Sequence, residues 1–347
     1  MPSGSRPDNP RLPGSASGPA SPGADRDASR TAPPNPPPTA PNSPRQREGG
    51  GAGRGPDRPW RVSPAGTRNL RRTDVVLGLQ ARLTGRDETL LGWLADHHVL
   101  TTPQITYALF GSTRFAQRRL LTLHRAGLID RFRALRPGGG AYPWHYVLAH
   151  LGALHVAAAR DQPPPRPAAT ADRIRRIATS RTLDHRLGVN SFFTDLAGHA
   201  RAHPATRLER WWSEAQCAAP GAFAPGLISP VRPDGHGIWT EADHDGKQRT
   251  VAFFLEYDTG AESHHVLAAK LDRYASHVAR GGPAWPVLFV VPSREREEQF
   301  QKNLHRAYPG AVATATLERL SASGPAQVVW TVAGLDGQPK PLIDLVE

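Results

Sequence analysis

The residues of this sequence best spaced for chemistry are two carboxylates and a lysine. Asp234 follows Pro233 where a strand-like stretch opens, and Glu256 lies 22 positions on, closing the apolar run Val251–Leu255. Carboxylates at the ends of adjacent strands converge, and such a pair holds one or two Mg²⁺ ions while a nearby lysine positions or activates an attacking water. Lys270 is the lysine of the helix that follows, and Glu214 or Asp258 offers a third carboxylate. Asp234, Glu256 and Lys270 are thus a set that can hold a divalent cation and a water. The same residues also have plain readings. Pro-Asp-Gly is a common turn signal, Glu256 and Asp258 suit strand ends, and a helical lysine is ordinarily solvated.

Such residues need elements to carry them. From Arg173 the pattern reads αβββαβαβ: helices over 173–178 and 183–199, strands over 208–216, 231–239 and 249–257, a helix over 261–279, then a strand, a charged helix over 294–308 and further strands over 312–317 and 328–332. In that order Asp234 opens the second strand and Glu256 closes the third. Leu187, Val189, Phe192, Phe193 and Leu196 make up one candidate core face, and Val266, Leu267, Leu271 and Tyr274 another.

An earlier stretch has a different rhythm. Asp87 and Glu88 open a helix through Leu90, Leu91, Trp93 and Leu94; Thr102-Pro103 starts a second, with Thr102 as its cap; Gly111 stops it. Ser112 caps a third helix, 113–126, with Phe115, Leu120, Leu121 and Leu123 as its apolar positions. Strands at 128–132 and 142–148 flank the turn Pro137-Gly138-Gly139-Gly140, and a helix at 151–160 ends the unit. Three short helices followed by a hairpin is the winged helix-turn-helix order. The third helix would enter the major groove of duplex DNA and present Thr113, Arg114, Gln117 and Arg118 to base edges. Arg131, Arg133 and Arg136 of the wing would neutralise phosphates. Winged helices also serve as protein-protein modules, and that alternative stays open.

Composition sets the frame. Of 43 basic residues only four are lysines, and the chain carries a net charge of +12. Residues 1–75 hold +6, residues 76–165 hold +5 and the remainder only +1, so the basic excess lies in the tail and the first unit, where it favours a polyanion. Residues 1–65 contain 16 Pro and 9 Gly, too little apolar surface to offset the entropy of ordering. The expected organisation is a disordered tail (1–80), a winged helix-turn-helix domain (82–160), a Pro-rich linker (161–172) and an α/β domain (173–347). No apolar run approaches the ~20 residues of a membrane span, and no signal-like segment opens the chain, so a cytoplasmic location is expected. A lone cysteine, Cys217, excludes an internal disulfide and a Cys-based zinc site. There is no P-loop, and the adjacent pairs His97-His98 and His264-His265 are poorly spaced for metal.

The αβββαβαβ order, with Pro-Asp on the second strand and an acid closing the third, resembles the restriction-endonuclease-like fold. Its motif is Pro-Asp, then Asp or Glu, any residue, Lys. Asp258 stands where that lysine belongs, so Lys270 would have to supply it from the helix; the resemblance implies metal-dependent cleavage of a phosphodiester, with Asp234, Glu256 and Lys270 as catalytic residues. Together with the early segment Leu100-Thr101-Thr102-Pro103-Gln104-Ile105, the blocks Arg232–Gly235, Phe254–Glu262 and Leu267–Tyr274 resemble the replication-relaxation family of plasmids and integrative elements of Gram-positive bacteria. The resemblance covers roughly residues 85–335. It implies a role in plasmid replication or DNA relaxation with double-stranded DNA as partner, an N-terminal winged helix and a restriction-endonuclease-like second domain. Three versions follow: a DNA-binding protein without catalysis, a Mg²⁺-dependent nicking or cleaving endonuclease, or an interaction platform that recruits replication or transfer proteins through an exposed Trp211-Trp212 pair.

Overall fold

The structure, a computed structural model, describes residues 60–63, 83–134, 140–243, 245–304, 308–335 and 337–346. The expected disordered tail lies outside them except for Trp60–Ser63, as do Arg136, residues 137–139 of the turn, His244, and residues 305–307 at the end of the expected charged helix. The chain is a mixed α+β structure with, among the described residues, ten α-helices and two sheets. No helix among those residues is long and apolar enough to cross a membrane. The described residues fall in one compact unit.

The N-terminal half of that unit begins with β1 (Trp60–Ser63), α1 (Gly85–His97), β2 (Leu100–Thr101) and α2 (Thr102–Ile105), which runs on as a π-helical turn over Thr106–Phe110. Next come α3 (Thr113–Arg125), β3 (Ile129–Ala134), β4 (His145–Leu148) and α4 (His150–Ala159). Thr84 and Asp87 form a reciprocal capping box at the head of α1, and Asp87 is fully buried. At α2 the cap is Thr101, paired with Gln104, one residue before the expected Thr102; Pro103 then falls within the first turn, where its missing N–H costs nothing. The sheet has four strands in the order β1-β3-β4-β2, all antiparallel. β1 lies inside the stretch expected to be disordered, and its four residues pair with Arg131–Ala134 along the free edge of β3. The third helix departs from expectation at Phe115, which is 65 % exposed while Ala116 is buried. Successive helical residues are turned by about 100°, so Ala116, Leu120 and Leu123 share the core face and Phe115 cannot.

After Asp161–Arg166, α5 (Pro167–Ala178) begins six residues before the expected Arg173, with Pro167 in its first turn. Then follow α6 (Leu183–Ala202), β5 (Thr206–Ser213), the single turn α7 (Glu214–Cys217), β6 (Gly235–Ala242), β7 (Gln248–Tyr257), α8 (His264–Ala279), β8 (Val287–Val291), α9 (Arg294–Lys302), β9 (Val312–Thr316), α10 (Leu317–Ser323), β10 (Trp330–Val332) and β11 (Pro339–Lys340). The second sheet runs β11-β10-β9-β8-β7-β6-β5. β7, β8 and β9 are mutually parallel; every other neighbour is antiparallel. Period-two alternation divides β7 between two cores. Val251, Phe253 and Leu255 face α6 with Phe192 and Phe193, and Phe254 packs with Leu267, Leu271 and Tyr274 of α8.

One apolar cluster runs from Leu90 and Leu120 of the first half through Phe193 to Trp239 and Trp330 of the second. Trp211 is its hinge pin. Its ring stacks on His97 at 3.7 Å and on Phe193 at 5.2 Å, and it is 8 % exposed. The expected exposed Trp211-Trp212 pair is therefore corrected: Trp211 is core, and only Trp212 is half-buried, under the Arg210 guanidinium.

Candidate functional site

Two regions gather the polar residues singled out by the sequence. The first is the outer face of α3. Thr113, Arg114, Gln117 and Arg118 are all exposed. Their helix is fixed from behind, since Arg119 donates through Nε to Asp87 Oδ1 at 2.9 Å and so fastens α3 to the head of α1. Thr113 and Gln117 line an open groove of about 640 Å³ whose other walls include Tyr107, Arg133, Tyr142, Trp144 and Arg201. The Arg131 and Arg133 guanidiniums lie over the Trp144 ring, 4.1 and 4.4 Å from its centre, so a cation–π contact orients both arginines of β3. Arg201, which the sequence reading missed, arrives from the end of α6 and donates to the Tyr107 carbonyl at 3.1 Å. Gly111 permits that approach: its φ is +66°, and a Cβ there would meet the Arg201 guanidinium at 2.7 Å.

The second region is the junction of β6, β7, α6 and α8. Gly235 pairs with Leu255 across the β6–β7 ladder, so Asp234 arrives beside Glu256 at the strand ends. Asp234 Oδ2 accepts from the Tyr257 main-chain N–H at 2.8 Å and from His185 Nε2 at 3.1 Å. Glu256 is buried. Its Oε2 accepts from Lys270 Nζ at 2.8 Å and its Oε1 from the Tyr274 hydroxyl at 2.7 Å. Lys270 also reaches Glu262 Oε2 at 3.0 Å. Asp258 is drawn away from the group, paired with Arg296 of α9 and accepting from the Gly260 N–H. Glu214 is not on the strand but opens α7, and lines a cleft of about 250 Å³ with Asp234, His185 and Ser213.

The electrostatics follow from burial and pairing. Burial, then the Asp234 charge, pushes the Glu256 carboxyl up against the opposing pull of Lys270 and Tyr274. Burial works against the Lys270 ammonium, but Glu256 and Glu262 overcome it and hold it charged. The hydrogen bond to Asp234 raises His185 above the ordinary histidine value in spite of its burial. Burial lifts the Cys217 thiol to about 12, which makes it inert.

Asp234, Glu256 and Lys270 are thus brought together and Asp258 is not. His185 was missed because nothing local marks it, its partner lying 49 residues away. Its helix can approach because Gly188 has no Cβ, which would otherwise fall 2.2 Å from the Tyr257 ring. Tyr274 was expected only in the core, although its place four residues after Lys270, on the same helical face, was a signal that it could join the group. Asp234 Oδ1 makes no hydrogen bond among the described residues, and there no three His, Cys, Asp or Glu side chains are grouped to hold a metal. Mg²⁺ keeps several waters and needs only one or two carboxylates, so Asp234 with Glu256 remains a fitting donor pair.

A family model described as Replication-relaxation matches residues 91–292, over half of the chain and across both regions. No curated protein and no solved structure matches it.

Proposed function

The chain belongs to the replication-relaxation family, and from that premise we propose that it is a DNA-binding protein acting in the replication or relaxation of a plasmid or integrative element. In this reading α1 to α3 with β3 and β4 form a winged helix that docks α3 in the major groove of duplex DNA, and residues 173–347 form a restriction-endonuclease-like domain. The observation that carries it is the outer face of α3, where Thr113, Arg114, Gln117 and Arg118 stand exposed beside a groove edged by Arg133 and Arg201. Arginine can fork to guanine and glutamine to adenine, while the flanking arginines meet phosphate. The test is duplex affinity across a salt series. Arg114→Ala with Arg118→Ala is expected to weaken binding at least tenfold, at about 1–3 kcal/mol per lost contact, and to flatten the salt slope. Unchanged affinity would remove α3 from the interface.

A second reading rests on the convergence of Asp234, Glu256 and Lys270. Asp234 and Glu256 would hold Mg²⁺, which when bound supplies positive charge to a scissile phosphate, and Lys270 would orient the attacking water. Supercoiled plasmid incubated with Mg²⁺ or Mn²⁺ tests it. Nicking abolished by Asp234→Ala and by Glu256→Ala establishes a nuclease; intact plasmid that is nonetheless shifted in a gel leaves binding without cleavage.

A further inference from the structure

A third polar region belongs to neither site. Where α5 turns into α6, a pocket of about 360 Å³ is lined by His98, Arg173, Arg176, Ile177, Ser180 and Arg186. Three arginines line it and no acidic residue does. Arg173 is held in place by donating to the Leu94 and Ala95 carbonyls, at 3.2 and 2.6 Å, and to His98 Nδ1 at 2.7 Å. That last contact requires an acceptor nitrogen, so His98 is neutral with its proton on Nε2, a further donor. Arg176 gives its Nε to the Asp172 carbonyl at 3.4 Å. The Arg186 side chain makes no hydrogen bond or ion pair among the described residues, and the residue is half-buried. Nearby acids offset the group only from a distance, since Asp96 acts on Arg173 and Glu214 on Arg186 without a hydrogen bond to either. Asp96 is taken by Arg160 through two hydrogen bonds of 2.6 and 2.8 Å, and Glu214 acts on Arg186 only at longer range.

Like charges partly withdrawn from water repel one another: burial first, and then the charges of Arg186 and Arg176, make the Arg173 guanidinium harder to keep charged, against the opposing pull of Asp96. A cluster of donors without an acceptor is relieved by an anion, and convergent planar guanidiniums match the oxygens of a phosphate. We propose that this pocket binds a phosphate group. Arg186 and His98 also line the cleft that holds His185 and Asp234, so a phosphate bound here lies beside the carboxylate site. The phosphate belongs either to the backbone of a nucleic-acid strand or to a free phosphorylated small molecule. The assignment does not depend on α3 reading DNA.

The experiment uses the full chain with inorganic phosphate, at constant ionic strength set by NaCl, and follows the melting temperature. The expected result is a saturable rise in the wild type that Arg186→Gln loses. Without phosphate, Arg186→Gln should melt no lower than the wild type, because it relieves repulsion; a side chain that merely packs would lower the melting point instead. Arg176→Gln, at an exposed position, gives the same readout should the first variant fold poorly. Affinity for a duplex and for single-stranded oligothymidylate then separates the sources. A fall of about tenfold in Arg186→Gln, with Arg114→Ala leaving the phosphate response intact, identifies a strand backbone. Unchanged DNA affinity with the phosphate response lost identifies a free phosphate ligand. No stabilisation by phosphate beyond that of NaCl, together with unchanged DNA affinity in the Arg176→Gln, Arg186→Gln double variant, overturns the proposal.

Discussion

The α3 face and the carboxylate cluster are both built from charged residues, but they treat charge in opposite ways. On α3, Arg114 and Arg118 stand in solvent on a helix anchored by other residues. At the β6–β7 end, Glu256 has a partner at each oxygen, Lys270 bridges two glutamates and Asp258 is closed off by Arg296. Exposed charges cost the fold almost nothing and leave their hydrogen-bonding capacity for a partner. Buried charges are tolerated only because they satisfy one another, so any ligand must compete with, or join, contacts already made. Removing a charge from the first region should therefore subtract from binding, and removing one from the second should subtract from stability.

The largest effect that would sharpen this contrast is at Lys270. Lys270→Met leaves Glu256 buried with only the Tyr274 hydroxyl, and is expected to destabilise the protein by about 3–5 kcal/mol, the usual loss when a buried ion pair is broken on one side. Adding Glu256→Gln should restore most of it, because the double variant no longer buries an unpaired charge. Urea denaturation of the two single variants and the double variant measures this coupling. A loss below about 1 kcal/mol for Lys270→Met would mean that the pair behaves as a surface bridge.

A smaller effect concerns pH and Asp234. His185 is raised above the ordinary 6.5, so its contribution is fully present below that value and is lost as pH rises through the higher folded-state value. Glu256 is raised too, and a raised carboxyl makes folding less favourable as pH climbs past its unfolded value of 4.5. Both groups therefore act in the same direction, and Asp234 contributes to both. Wild-type stability should consequently fall more steeply than that of Asp234→Asn between about pH 5 and pH 8, by a difference on the order of 1 kcal/mol. Parallel curves for the two proteins would show that Asp234 does not govern these ionisations.

How much of this was legible in the sequence depends on the reach of each contact. Helix starts and stops are local, so Gly111, Ser112 and the acids of α1 marked them, and the alternation in Val251–Leu255 marked an interior strand. Lys270 and Tyr274 were findable because four residues bring two side chains to one helical face. His185 with Asp234, Arg296 with Asp258 and Arg201 with Tyr107 were not, since each pair is separated by 38 residues or more and is joined only when α6 or α9 settles on its sheet. Trp211 was misjudged for a related reason. Strand alternation says that one of Trp211 and Trp212 faces a helix layer, but not that His97 of the first half covers it.

Phe115 supplies the smallest and most pointed test of the contrast, because its type says core and its position says surface. If the α3 face is a region whose residues are free of structural duty, Phe115→Ala should change stability by less than about 0.5 kcal/mol, as exposed substitutions do, against the roughly 3–5 kcal/mol of a buried phenylalanine. Its neighbour sets the scale. Ala116 is fully buried about 100° around the same turn, so Ala116→Leu should overpack the core and destabilise by about 1–3 kcal/mol. Thermal melts of both variants read the outcome directly. A large loss at Phe115 would place the aromatic in a packed interface and turn the α3 face from an open surface into a covered one; a neutral result, with weaker duplex binding in the same variant, would add an apolar contact of the kind that thymine methyl groups accept to the polar set already there.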